Sequence, residues 1–268
     1  MLVDRLGLSE RRACQITGQH RSTQRRGDPR VGGDDGVRRR LRQISGQHPR
    51  WGYRKAWSLL RQEGLVVNRK KVQRLWREEG LRVPPKRRKR RRVGTSTAPA
   101  GLLRASAPGE VWALDFQFDT TTDGRIVKLL HVVDEHTREA PSIVVERTID
   151  ADQVVATLER LAGRLGAPRF IRMDNGPEMT ANAIRDWCLT SGTHTSYIEP
   201  GSPWQNPFVE SFGSRVRDEV LAVEAFTTLL EAKVVIEDWR IMYNTIRPHS
   251  SLGWMPPSQY ADACRRGL

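Results

Sequence analysis

The sequence predicts an α/β domain preceded by a small all-α domain, and three observations lead there. Apolar residues recur near every 3.6 positions between Val37 and Leu81, alternating apolar positions begin after Gly109, and the charge changes sign between the two regions. Residues 1–94 hold 28 Lys and Arg against 8 Asp and Glu, a net +20, whereas residues 95–268 hold 17 against 23, a net −6. A uniformly Arg-rich composition would spread its excess along the whole chain. Gathered in one segment, the excess is the footprint of a polyanion binder, because each neutralised phosphate releases condensed counterions. The acidic remainder is where a cation site would sit.

The chain has 268 residues, 38% of them hydrophobic, enough for one sizeable core and a smaller domain. No stretch approaches the roughly 20 consecutive apolar residues that span a bilayer, and the first residues lack the apolar core of a signal peptide, so no membrane partner and a cytoplasmic location are expected. Cys14, Cys188 and Cys264 are far apart and odd in number, which suggests neither a disulfide framework nor a zinc ribbon.

Taken in order, residues 1–36 read as a short helical and flexible segment, with a helix candidate at Ser9–Gly18 and a loose link at Gly32, Gly33 and Gly36. Residues 37–83 read as a helix-turn-helix unit. Tyr53, Trp57 and Leu60 mark its first helix, Val72, Leu75 and Trp76 its second, residues 64–67 the short turn, and Asn68 the N-cap of the second helix. That second helix carries Arg69, Lys70, Lys71, Arg74 and Arg77, which suit a DNA groove or its phosphates and equally suit a solvated face. Residues 84–108 are a basic linker: Pro84-Pro85, then Lys86, Arg87, Arg88, Lys89, Arg90, Arg91 and Arg92, then a Gly/Ser/Thr/Ala/Pro stretch. Such a run repels itself and cannot pack, so its expected partner is the DNA backbone.

Residues 109–268 form the α/β domain. In Val111–Phe118 the residues Trp112, Leu114, Phe116 and Phe118 share one face of a strand, while Ala113, Asp115 and Gln117 share the other. Strands follow at Ile126–Val133 and Ser142–Val145, with Asp123-Gly124 as the turn signal before them. A helix over Asp152–Leu165 leads to a strand at Arg169–Met173, which ends at Asp174 before the turn residues Asn175-Gly176-Pro177. That placement exposes a carboxylate at a strand's carboxyl end, where α/β sheets build their sites, and also suits a simple turn cap. In the helix that opens at Asn206-Pro207, Phe208, Val209, Phe212, Val216 and Val220 make an apolar stripe from which Glu210 is excluded. Glu210 is therefore free to face a cleft or plain solvent.

Three acids on separate elements would suffice for phosphodiester chemistry. Two Mg²⁺ ions about 3.5–4 Å apart activate a hydroxyl and stabilise the leaving oxygen, and Mg²⁺ is held by a few hard carboxylate oxygens plus substrate phosphates. Trp112-Ala-Leu-Asp115, Met173-Asp174-Asn-Gly-Pro-Glu178 and Pro200-Gly-Ser-Pro-Trp-Gln-Asn-Pro-Phe-Val-Glu210-Ser-Phe resemble the three signature blocks of the integrase-core DDE transposases of bacterial insertion sequences. Thirty-five residues lie between Asp174 and Glu210, and Tyr243-Asn-Thr-Ile-Arg-Pro-His-Ser-Ser-Leu252 resembles the family's closing motif. The basic helical region from His48 to Leu81 resembles the module that precedes the core in the insertion sequence three family, second-frame type. No His/Cys zinc module of the retroviral kind precedes the core.

The resemblance implies a ribonuclease-H-like core, with a mixed five-stranded sheet and flanking helices, in which Asp115, Asp174 and Glu210 are the catalytic metal ligands. It implies Mg²⁺ or Mn²⁺, two ions with DNA bound, serving DNA cleavage and then attack by the freed 3′-hydroxyl on target DNA. Its implied partners are double-stranded DNA at element ends and target, further copies of the chain, and an upstream-frame helix-turn-helix protein. A ribonuclease-H-like nuclease would need the same carboxylates; a non-catalytic regulator derived from a transposase would be expected to have a damaged triad, and this one is intact.

Other acids and histidines compete for roles. Asp134 is expected to hold a turn or pair with Arg138, and Glu178 stays unassigned beside Asp119. His131 is expected to be structural, His136 exposed, and His249 open between packing and DNA. Asn206 is read as a helix cap, Trp204 is left open, and Thr228–Asn244 reads as an amphipathic core helix through Leu229, Val234, Ile236, Trp239 and Tyr243.

Overall fold

The computed structural model describes residues 7–18, 20, 34–84, 104–174, 176–197 and 206–267. The basic run from Lys86 to Arg92, Asn175, and Trp204 with Gln205 lie outside the described residues.

An initial helix, α1 (Glu10–Thr17), starts where Ser9 accepts a hydrogen bond from the Arg12 amide and stops at Gly18, whose φ of 65° only glycine adopts at low cost. Three helices then form the basic module: α2 (Asp35–Gln47), α3 (Tyr53–Gln62) and α4 (Arg69–Glu78). Asn68 caps α4 as expected, its Oδ1 accepting from the Lys70 amide at 2.8 Å. The sequence reading found two of these helices and missed α2. Its apolar signal is only Val37, Leu41 and Ile44, set among four arginines, yet Leu41 and Ile44 are fully buried against Trp51, Leu60, Val72 and Leu75. The three helices pack around this one cluster.

The larger domain is built on a five-stranded sheet of order β3-β2-β1-β4-β5. Strands β1 (Val111–Thr120), β2 (Ile126–Asp134) and β3 (Ser142–Glu146) run antiparallel, and β4 (Phe170–Met173) and β5 (His194–Tyr197) join parallel to β1. One face carries Trp112, Leu114, Leu130 and Val132 against α5 (Ala151–Leu165), the short α6 (Pro177–Thr180) and α7 (Asn182–Ser191). The opposite face carries Ala113, Leu129 and Val133 against α8 (Pro207–Val216) and α9 (Leu229–Thr245). A sheet buried on both faces explains why β2 is buried at eight of its nine positions instead of alternating with solvent. Along α9, Ile236, Trp239 and Tyr243 enter the core while Val234 is exposed, which narrows the expected stripe.

Helix α8 passes without a break into a π-helical turn, Arg217–Leu221, and the chain ends in a 3₁₀ turn at Ser250–Leu252 and α10 (Pro257–Arg265). The π turn points Glu219 at the helical module. Its carboxylate accepts hydrogen bonds from Lys55 Nζ at 2.7 Å, Trp51 Nε1 at 3.3 Å and the Arg247 guanidinium at 2.6 Å. Arg50 Nε donates to the Asp218 carbonyl at 3.0 Å and Ser58 Oγ to the Trp254 carbonyl at 3.1 Å. The module is thereby pinned to the same end of the domain as α8. No described helix is long and apolar enough to cross a membrane.

Candidate active site

Asp115 sits in the middle of β1, on the face that receives α8, opposite His131 of β2. The parallel pairs Val111–Phe170, Trp112–Ile171 and Ala113–Arg172 share one offset, which carried two residues further aligns Asp115 with Asp174. Asp174 follows β4 directly, and its Oδ1 accepts from the Gly176 amide at 3.0 Å, so it holds the turn as well as closing the strand. A Cβ at Gly176 would stand 3.1 Å from that same oxygen, so this position favours glycine.

Glu210 lies in the first turn of α8 and is exposed, while Val209, Phe212 and Val216 are buried. Asn206 does not cap this helix with its side chain, contrary to the sequence reading. Its buried Nδ2 instead donates to the Leu114 carbonyl at 3.1 Å, stitching the start of α8 to the residue before Asp115. Beyond that stitch the helix lies close to the sheet: a Cβ at Gly213 would be 3.3 Å from Gln117 Oε1, itself 2.8 Å from His131 Nε2. His131 is fully buried and, as expected, structural.

Electrostatics link the three acids. The Asp115 carboxyl is pushed up to about 7, first by burial and then by the negative charges of Asp174 and Glu210, against a lowering hydrogen bond from the Phe116 amide. Desolvated and repelled by Asp174 and Glu210, the Asp115 carboxylate stands with them as a set of hard oxygens, the donor type that Mg²⁺ or Mn²⁺ prefers. Among the described residues, no group of three or more His, Cys, Asp or Glu side chains is gathered tightly enough to hold an ion as it stands. The acids converge as a loose cluster, with Glu210 on its solvent side.

The competing acids have structural work. Asp134 Oδ1 accepts from the His136 and Thr137 amides at 2.8 and 2.9 Å, so it holds the turn; Arg138 instead lies 3.7 Å over the Phe208 ring. Glu178 pairs with Lys128, whose ammonium is also 4.0 Å from the Phe116 ring centre and donates to the Ile149 carbonyl. His136 is half-buried beside Tyr260, not exposed as expected, because α10 packs over its turn. Lys128, Glu135 and Glu219 escaped the sequence reading. Each lies far in sequence from its partner: Lys128 from Glu178, Glu135 from Arg172, Glu219 from Lys55.

Residues 105–203 and 191–257 of the chain match integrase core domain models, and residues 34–90 match an HTH-like domain. Over 260 residues it is 42% identical to the insertion element IS476 uncharacterized 39.2 kDa protein of Xanthomonas euvesicatoria, covering 97% of this chain and 74% of that one. It is 40% identical over 258 residues to the insertion element IS407 uncharacterized 31.7 kDa protein of Burkholderia multivorans, covering 96% and 92%. The chain belongs to the integrase-core transposases of bacterial insertion sequences. Within that family, it is 26% identical over 247 residues to the transposase InsD of insertion element IS2 of Escherichia coli, covering 85% of this transposase and 78% of InsD. The fold alone is shared with a chain of the simian T-cell lymphotropic virus intasome in complex with PP2A regulatory subunit B56 gamma: TM-score 0.51 and 12% identity, over 82% of this chain and 73% of the other.

A helix-turn-helix-like module joined to an integrase core makes DNA the partner class of this transposase. The five basic residues of α4 divide into two groups. Lys71 and Arg74 are tied to the buried Asp34, and Arg74 also to Glu78 at 2.8 Å. Arg69, Lys70 and Arg77 are exposed and have no carboxylate partner among the described residues.

Proposed function

We propose that this transposase cuts and joins DNA strands by metal-dependent transesterification, with Asp115, Asp174 and Glu210 as the metal-binding catalytic acids. The observation that carries the reading is the Asn206–Leu114 hydrogen bond, which brings the Glu210 helix across the strand that holds Asp115. Bound Mg²⁺ or Mn²⁺, as two ions when DNA is present, supplies Lewis-acid activation of the attacking hydroxyl and stabilisation of the leaving oxygen. Asp115, in the middle of β1, would hold the metal from the sheet. Asp174 would supply a second carboxylate at the strand end, and Glu210 a third from the exposed first turn of α8. Each step forms one bond from the attacking oxygen to phosphorus as the bond from phosphorus to the leaving oxygen breaks. Water attacks first and frees a 3′-hydroxyl at the element end, and that hydroxyl then attacks target DNA. No Ser or Tyr nucleophile is required.

Arg69, Lys70 and Arg77, with the basic run 86–92, hold the DNA backbone in this reading. Copies of the chain, and an upstream-frame helix-turn-helix protein where one exists, assemble on the paired ends. The test incubates the full chain with labelled element ends and a plasmid target in Mg²⁺ or Mn²⁺, beside Glu210→Gln. Joined product from wild type, with DNA binding but neither cutting nor joining by the variant, is expected. Equal behaviour of the two proteins would remove Glu210 from the mechanism, and nicking without joining would turn the reading toward a nuclease.

A further inference from the structure

A cavity of about 350 Å³ opens where the helical module meets the catalytic domain, between the start of α3, the end of α8 and the closing motif. Five cations line it against two carboxylates. Arg50 is matched by Asp218, and Arg247 and Lys55 share Glu219. Arg54 and Arg215 also line it, one from each domain, and neither has a carboxylate partner among the described residues. The first turn of α3, which has no side-chain cap, opens on the same space.

Burial acts first on the basic groups inside, and the neighbouring cations add to it. His249 is driven down to about 4, by burial and then by Arg247, Arg138, Arg215 and Lys55. It stays neutral at physiological pH, and Lys55 is lowered to about 8 by burial and then by Arg247. Five cations against two carboxylates leave the lining with a net positive charge, which is complementary to an added anion.

Position decides which anion. Arg215 stands five residues beyond Glu210 on one helix, about 7.5 Å further along its axis and about 140° around it, so the cavity lies a few nucleotides from Glu210 for DNA that passes round the helix. We infer that this cavity is a backbone-phosphate subsite, in which Arg54 and Arg215 clamp one phosphate of the DNA strand whose reacting phosphodiester lies at Glu210. The inference rests on the proposed function and adds to it a contact made jointly by the two domains. Because Arg54 belongs to the helical module and Arg215 to the core, the phosphate fixes the one against the other while DNA is bound.

The test measures binding of a labelled element-end duplex to the full chain, without divalent metal, across a salt series. Wild type is compared with Arg54→Gln/Arg215→Gln and with the charge-matched Arg160→Gln/Arg164→Gln on α5. Loss of one phosphate contact is expected to flatten the slope of log K against log salt by about 0.9 in the first variant only. A single neutral methylphosphonate stepped along the strand is expected to weaken wild type at one position, a few nucleotides from the cleaved bond, and to have no further effect there on the Arg54/Arg215 variant. An unchanged slope, a change equalled by the charge-matched variant, or no non-additive position would overturn the subsite. Because the readout needs no metal and leaves the acids intact, it separates from the joining assay. A wild type that never joins ends refutes the catalytic reading, and one that joins ends while the clamp variant keeps its slope refutes only the subsite.

Discussion

Glu219→Gln is expected to destabilise this transposase by about 3–5 kcal/mol, although the change removes one charge and little volume. Glu219 and Arg247 each keep only 4% of their side-chain surface exposed, and Lys55 keeps 20%. Burial opposes ionisation of Glu219, but the Arg247 and Lys55 partners outweigh it and pull the carboxyl from 4.5 down to about 2. A fall of that size at ~1.4 kcal/mol per unit corresponds to roughly 3 kcal/mol, and breaking a buried pair by deleting one partner costs ~3–5 kcal/mol by an independent route. The folded pKa is depressed, so this stabilisation is complete above about pH 4.5 and is lost as pH falls through about 2. Urea unfolding followed by circular dichroism at pH 7 and again at pH 3 measures it. With m near 3 kcal/mol per molar, the expected loss moves the midpoint by about 1 M or more at pH 7, and the difference between the two proteins shrinks at pH 3. Arg247→Met added to Glu219→Gln is expected to recover part of the loss, because the cost is an orphaned buried guanidinium. A midpoint shift below about 0.2 M at pH 7, or a double variant as damaged as the sum of the singles, would refute the reasoning.

Asp115→Asn is expected to abolish strand joining and to stabilise the metal-free protein. The folded pKa, about 7, lies above the ordinary 3.8, so the native carboxylate costs stability increasingly as pH rises from about 4 to 7; thermal melting at pH 8 should show a gain of up to roughly 4 kcal/mol that vanishes near pH 4. Asn206→Ala removes the bond to the Leu114 carbonyl, costing about 1–3 kcal/mol of stability; joining should fall at least tenfold with DNA affinity unchanged, measured by the joining and binding assays side by side. Gly213→Val drives a branched side chain at Gln117 and His131, so about 1–3 kcal/mol of overpacking and a joining defect are expected in melting and joining assays. Replacing Lys71 by Met should lower the melting temperature more than Lys70→Met, because Lys71, unlike Lys70, meets the buried Asp34, while Lys70→Met should weaken DNA binding more.

What could be read from the amino acids depended on how local the signal was. The first four strands, α5, the Asn68 cap and the exclusion of Glu210 from its apolar stripe are each written within a few residues, and the structure has them where the periodicities put them. The fifth strand came only from the family resemblance: His194–Tyr197 is four residues with no alternating apolar pattern, and its place is decided by pairing with β4. Asn206 was misread for a related reason. Asn before Pro at a helix start is a cap in isolation, but a carbonyl of β1 lies in reach once the helix is laid on the sheet, and no local rule carries that contact. The same holds for Glu219, whose partners lie 164 and 28 residues away.

Several of the long-range contacts share a location, and that location bears on the chemistry. Asn206, Gly213, Arg215 and Glu219 lie on one continuous helical run with Glu210, from Pro207 through the π turn to Leu221 and the residue just before it. At its start the run is bonded to β1 beside Asp115, and at its end to Lys55 and Trp51 of the module that belongs to the HTH-like family. Glu210 stands near the start of this run and Glu219 near its end, and Glu210 is the only acid of the three that is exposed and not set in or directly after a strand. One segment thus both presents a candidate metal ligand and receives the HTH-like module.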